Sequence, residues 1–309
     1  MTEIAGRSCP VRYRYGAEAI AQAPTCEVET LYVVGGLYGN LPALDAIEAM
    51  AKAETGPVSI VFNGDFNWFN VDDADFAEIN RRVARHAAIL GNVEAELGHE
   101  GDAAGCGCAY PEHVDHMVVE RSNQIHAQLK TTAARHPQIL EQLARLPMFA
   151  RFSVGGCVVG IVHGDADSLA GWRFDASALS DPANQAWLAN ALKRAEVDIF
   201  ASTHTCLPAL RQIGEPSAGL IINNGAAGMP NFRQQLSGLL TRISVRPPCA
   251  PIAYGITHRG VHIDALAVAY DTAEWQANFL ANWPEGSAAW LSYYQRISQG
   301  PAYELAQAV

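Results

Sequence analysis

Positive charge is what this sequence has least of: 21 Lys and Arg stand against 32 Asp and Glu, a formal net charge of -11. No cluster of basic residues interrupts that balance. A nucleic-acid backbone is therefore not expected as a partner, because phosphate recognition of that kind needs grouped Lys and Arg. Long apolar runs are also missing. No stretch of about 18 apolar residues occurs, so no spanning helix is expected. Met1 to Cys26 contains no continuous apolar segment of signal-peptide length. These absences predict a cytoplasmic protein that works away from membranes. No internal repeat, low-complexity run or linker divides the chain. The charged fraction is 17% and the mean hydropathy is near zero, which argues for a globular protein and against a disordered one. The seven cysteines are an odd count, widely spread in a chain too large to need staples, and read as mostly reduced thiols.

Apolar residues are plentiful: 49% of 309 residues, enough for a large single core or two small ones. Residues 1–28 read as an irregular N-terminal extension with a short helix near Gly16 to Gln22. Residues 29–309 read as one domain ending in a helical tail. Thr30 to Val34 and Val58 to Phe62 read as buried strands. Between them, Leu41, Leu44 and Ile47 share a helix face, with Asn40 as cap and Pro42 in the first turn. Asp72, Asp73 and Asp75 open a helix whose apolar face is Phe76, Ile79 and Val83. Ala87 to Leu90 is a short strand. Gly98 to Ala109 is a Gly-rich loop. Residues 112–146 are helical with a break at His136-Pro137. Phe149 to Val154 and Cys157 to Val162 form a hairpin across Gly155-Gly156. Trp187 to Arg194 is helical, and Val197 to Ala201 and Leu220 to Asn223 are strands. Tyr254 to Thr257 pairs with Val261 to Val268. The tail, Thr272 to Ile297, is helical and carries Trp275, Trp283 and Trp290, read as core or a partner surface.

Four short motifs close apolar runs in order: Asn63-Gly64-Asp65, Gly91-Asn92, His163-Gly164 and Thr203-His204-Thr205. They supply one carboxylate, one amide oxygen and two imidazoles. In α/β sheets the carboxyl ends of strands are where ligands bind. The mixed nitrogen and oxygen set suits Zn, Mn or Fe better than Mg or Ca. A fifth element, Gly35-Gly36-Leu37-Tyr38-Gly39-Asn40-Leu41-Pro42, has the shape of a metal-binding turn but contains no Asp or His.

Taken in order, these segments resemble the calcineurin-like metallophosphoesterase family over roughly residues 30–270. Gly39-Asn40-Leu41-Pro42-Ala43-Leu44 continues as the family's first motif does. Leu146-Pro147, the hairpin, and Asn223-Asn224-Gly225-Ala226-Ala227-Gly228-Met229-Pro230 match the bacterial branch in kind and position. The resemblance implies a single-domain α/β sandwich of two packed sheets flanked by helices, in four layers α/β/β/α. It also implies two adjacent metals that share a bridging Asp and activate a water for attack on phosphorus. Asp65 matches the bridge, and Asn92, His163 and His204 match the other ligands of the second metal. The ligands private to the first metal are replaced by Gly36, Tyr38 and Cys206. The His that assists the leaving group is Val93, which removes a general acid at a cost of ~10²–10⁴-fold.

The leading expectation is therefore a phosphoester hydrolase acting on a small phosphorylated molecule. It holds one divalent transition metal, with two as the alternative, and Asp65 and His163 carry the chemistry. The rivals are a pseudoenzyme that binds a ligand or partner through the remnant cleft, and cysteine-assisted metal or redox chemistry on the same scaffold. Cys206 reads either as a small buried hydrophobe or as a thiolate ligand. Cys106 and Cys108 read as part of an ordinary loop, as a thiolate pair, or as a redox-active pair. With Cys206 they could also rebuild the first-metal site. Tyr38 reads as a packing or hydrogen-bonding residue, since a phenol of pKa ~10 ligates readily only beside a strongly acidic metal. Glu94 reads as a solvated helix-start residue. Asp165 reads either as a residue that orients a histidine or as a turn stabiliser.

Overall fold

Thr30–Val34 is buried on both sides, and that strand explains the layering. Leu31 and Val33 join one apolar cluster while Tyr32 and Val34 join another, because successive side chains of a strand point to opposite faces. A strand of this kind needs a packed layer above and below it. A computed structural model, which describes residues 4–99, 104–214 and 219–309, supplies both. Among the described residues the strands are β1 (Thr25–Val28), β2 (Thr30–Val34), β3 (Val58–Phe62), β4 (Ala87–Ala88), β5 (Phe149–Val154), β6 (Cys157–Val162), β7 (Ile199–Ser202), β8 (Ala209–Ile213), β9 (Gly219–Asn223), β10 (Gly238–Ser244), β11 (Ile252–His258) and β12 (Val261–Val268). They form two six-stranded sheets, β11-β12-β10-β2-β3-β4 and β1-β5-β6-β7-β9-β8.

The sheets face each other through Leu31, Val33 and Val61 on one side and Val159, Ile161, Ile199 and Ile222 on the other. Helices Leu41–Ala53, Asp73–Val83, His116–Ala133 and Thr272–Asn282 cover the outer face of the first sheet. Gln185–Ala195 and the short helix Ala17–Ala21 cover the second, around Phe200 and Ile221. The fold is the expected four-layer α/β/β/α sandwich. No helix among the described residues is long and apolar enough to cross a membrane.

Local chemistry sets several boundaries as expected. Asn40 caps its helix by accepting from Ala43 N at 2.9 Å, and Asp72 caps the next by accepting from Ala74 and Asp75. Three strands were not expected. β1 lies in the stretch read as irregular, and pairs parallel with β5 from Thr25 opposite Arg151. Its residues are mostly exposed, so no hydrophobic pattern marks it. β8 was also unmarked. β10 runs through the middle of the first sheet between β12 and β2 and carries Arg242, fully buried, which disguises it. Residues 100–103 of the Gly98–Ala109 loop lie outside the described residues.

Candidate metal centre and its cleft

Asp65 follows β3, Asn92 follows β4, His163 follows β6 and His204 follows β7. The first two come from one sheet and the last two from the other. All four side chains meet at the carboxyl-end rim of the sandwich. His163 Nε2 lies 3.3 Å from Asp65 Oδ2, 3.1 Å from Asn92 Oδ1 and 3.2 Å from His204 Nδ1. All four residues are buried.

The orientation of each group is set from behind. His163 Nδ1 is 2.8 Å from the Asn63 carbonyl oxygen and donates to it, which turns Nε2 toward the other three side chains. His204 Nε2 donates to the Cys108 carbonyl at 3.0 Å, which leaves its Nδ1 as the lone-pair atom. The Asn92 amide nitrogen donates to the Cys106 carbonyl at 2.8 Å, which aims Oδ1 inward. Four potential ligand atoms, Asp65 Oδ2, Asn92 Oδ1, His163 Nε2 and His204 Nδ1, thus converge. A metal with ligand bonds of about 2.1 Å needs neighbouring ligand atoms ~3.0–3.4 Å apart. The observed separations fit a cation of that kind. Among the described residues, Asp65, His163 and His204 form the one group of three or more His, Cys, Asp or Glu whose ligand atoms lie mutually within 4.8 Å.

Electrostatics in the cluster follow from burial and proximity. Burial raises the Asp65 carboxyl, but His163 beside it outweighs that and leaves it below its ordinary value. Burial lowers His163, while Asp65 raises it further, so His163 ends above its usual range. His204, buried and next to His163, is pushed down to about 3.

Close backbone approach makes the cluster possible. A Cβ on Gly91 would sit 2.2 Å from Asp65 Oδ1. Asp65 itself has φ 54°, a left-handed conformation that costs of order 1–3 kcal/mol for a residue with a side chain. Glu94 holds that turn. Its carboxylate accepts from Asp65 N at 2.8 Å, Asn67 N at 3.1 Å and Gly91 N at 3.3 Å. Glu94 is buried rather than solvated, and burial together with the Asp65 charge pushes its pKa up to about 7. Asp165 proves to be a turn stabiliser: it accepts from Asp167, Ser168 and Arg173 backbone N–H groups. That turn brings Trp172 edge-on to His204, with ring centroids 5.4 Å apart.

The altered half is filled by its own residues. A Cβ on Gly36 would lie 2.5 Å from the Tyr38 hydroxyl oxygen, so the Tyr38 ring occupies the space a side chain at position 36 would need. Its hydroxyl meets Cys206 Sγ at 2.9 Å. Burial raises both the phenol and the thiol. Val93 donates its backbone N–H to Asp65 Oδ1 at 3.1 Å, and its carbonyl meets His126 Nε2 at 3.0 Å. Cys106 and Cys108 reach the site through their carbonyl oxygens, and the Asn92 amide nitrogen also donates to Cys108 Sγ at 3.5 Å. The three thiols of Cys106, Cys108 and Cys206 do not form a metal-ligating group, and all three are free.

A cavity of about 190 Å³ opens over this cluster, lined in part by Asp65, Asn92, His204, Tyr38 and Cys206. Val93, Cys108 and Thr205 also line it, and so do Trp68, Tyr110, Trp172, Tyr293 and Arg296. None of these five was anticipated. Arg296 left one trace: it is the only Lys or Arg after Arg259, set in an aromatic tail.

No family model matches the sequence, and no curated protein matches it. Solved structures do. A metallophosphoesterase from Sphaerobacter thermophilus superposes with TM-score 0.56 at 17% identity, covering 88% of this chain and 100% of that one. A hypothetical protein from Pyrococcus horikoshii OT3 superposes with TM-score 0.59 at 15% identity, covering 89% and 99% respectively. The protein, on a shared two-sheet architecture spanning most of its length, has the metallophosphoesterase fold.

Proposed function

We propose that this chain holds one divalent transition metal through Asp65, Asn92, His163 and His204 and hydrolyses a small phosphoester there. The observation that supports the reading is the convergence of four potential ligand atoms, those of His163, His204 and Asn92 being aimed by backbone carbonyls that accept their other N–H groups. Two nitrogens and two oxygens suit Zn, Mn or Fe. When bound, such an ion supplies Lewis-acid polarisation of a phosphoryl oxygen and lowers the pKa of water. The chain's own residues do the rest. Asp65, His163 and His204 keep their ligand atoms within 4.8 Å of one another. Trp172 packs on His204 and narrows solvent access. Val93 has no proton to give a leaving group, so the reading favours esters with a good one. The volume of the cavity supports a small substrate. Seven free thiols support a cytoplasmic location.

Metal analysis of protein purified anaerobically, without added metal, tests the reading together with turnover of an activated aryl phosphate. About one equivalent per chain, with metal and turnover both lost in Asp65→Asn, is the expected outcome. Equal turnover in the variant and the parent would sink it. One observation favours a second reading, ligand binding without turnover: Tyr38 and Cys206 fill the first-metal position and Val93 replaces the proton donor. That reading gains if the metal is present and no phosphoester is hydrolysed.

A further inference from the structure

Arg296 is a permanent cation in the wall of this cavity. The Asp65, Asn92, His163 and His204 set does not use it. Its guanidinium is fixed in place: Nε donates to the Pro230 carbonyl at 2.9 Å and one terminal nitrogen, Nη2, donates to the Cys206 carbonyl at 2.8 Å. The other terminal nitrogen, Nη1, makes no hydrogen bond among the described residues. A guanidinium carries five N–H donors in a rigid fork, matched to planar or tetrahedral oxyanions. Its anchor at Cys206 puts it on the side of the cleft where Tyr38 and Cys206 replace metal ligands. The charge there is organic and permanent.

Four aromatic rings, of Trp68, Tyr110, Trp172 and Tyr293, make up much of the remaining wall. The Tyr110 ring lies 5.8 Å from Trp172, and its hydroxyl is 3.0 Å from Ser122 Oγ. Trp172 donates its indole N–H to the Cys108 carbonyl at 3.0 Å. Tyr293 stands edge-on to Trp68 at 6.4 Å. Flat, preorganised faces of this kind accept a flat apolar group at little entropic cost.

We propose that Arg296 anchors the anionic group of the ligand and that the aromatic walls select a flat apolar substituent on it. This makes the substrate class small aryl-type phosphoesters. The inference deepens the reading above, and its test reads binding, not turnover. Phenylphosphonate and methylphosphonate, neither of which has an ester bond to hydrolyse, are titrated calorimetrically into the metal-loaded and the chelated protein. The parent should bind phenylphosphonate at least about tenfold more tightly than methylphosphonate in the loaded form. Arg296→Gln should weaken both by at least about tenfold, the size expected for a charge-assisted hydrogen bond. Metal content should stay at the parental value. Arg296→Lys, which keeps the charge but not the fork, should recover part of the loss.

A purely structural arginine would instead lower the melting midpoint and metal content of Arg296→Gln together. That outcome overturns the proposal. Equal affinity for the two phosphonates, undiminished binding in Arg296→Gln, or no binding by the parent in either form also overturns it. Failure of the metal reading shows separately, as absence of metal from the parent.

Discussion

The Tyr38 hydroxyl and the Cys206 thiol meet 2.9 Å apart in the wall of the cavity. The Tyr38 ring takes the volume beside Gly36, so a carboxylate at position 36 has nowhere to go while Tyr38 stays. Gly36→Asp alone should therefore lower the melting midpoint without adding metal. Combining Gly36→Asp with Tyr38→His and Cys206→His removes the ring and supplies three ligands, and should raise metal content by about one equivalent. An unchanged content in the triple variant would mean that more than these side chains has been lost. The four residues of the candidate metal centre were legible because each ends an apolar run and each carries a donor atom suited to a metal. Glu94 was not, because a carboxylate near a helix start looks solvated until its three backbone donors are seen. Cys106 and Cys108 attracted attention for their sulfurs, yet their shorter contacts to Asn92 and His204 are through carbonyl oxygens, which every residue has and no sequence pattern marks.

At the scale of elements, β10 shows how far an ion pair can hide a strand. Arg242 sits in the middle of the first sheet with its side chain fully buried, 2.5 Å from Glu54 Oε1 and 3.4 Å from Asp264 Oδ2. A lone Arg in a short apolar run reads as a surface residue, because buried charges are rare unless paired. Both partners are distant in sequence, so the pairing is invisible until the sheet forms. Arg242→Met leaves two carboxylates facing an apolar interior and should destabilise the protein by about 3–5 kcal/mol, read as a lower urea midpoint. Adding Glu54→Gln and Asp264→Asn removes the stranded charges and should restore much of that loss. No recovery would mean that Arg242 acts through packing.

At the scale of the whole molecule, the tail closes both the core and the cleft. Trp275, Phe279, Trp283 and Ile297 are buried in the cluster that covers the first sheet, and the Trp283 indole N–H donates to Phe69 O at 2.9 Å. At about 1.5–3 kcal/mol for each large apolar side chain, they contribute ~6–12 kcal/mol, comparable to a typical total stability of ~5–15 kcal/mol. Removing residues 272–309 should abolish cooperative thermal unfolding, followed by near-ultraviolet circular dichroism. A sharp transition near the parental midpoint would show the tail to be an accessory. The same tail carries Arg296 and Tyr293 into the cavity wall, so one segment serves stability and recognition together. The sequence by itself determined most of the alternation of strands and helices, the sandwich they build and the four residues that meet at its rim. Each of these rests on local periodicity or on donor chemistry at a strand end. Only the tertiary structure decided that Tyr38 and Cys206 meet, that loop carbonyls orient Asn92, His163 and His204, and that a distant arginine lines the same cavity. Those features join residues far apart in the chain, 168 positions for Tyr38 and Cys206, and no local pattern encodes a contact at that range.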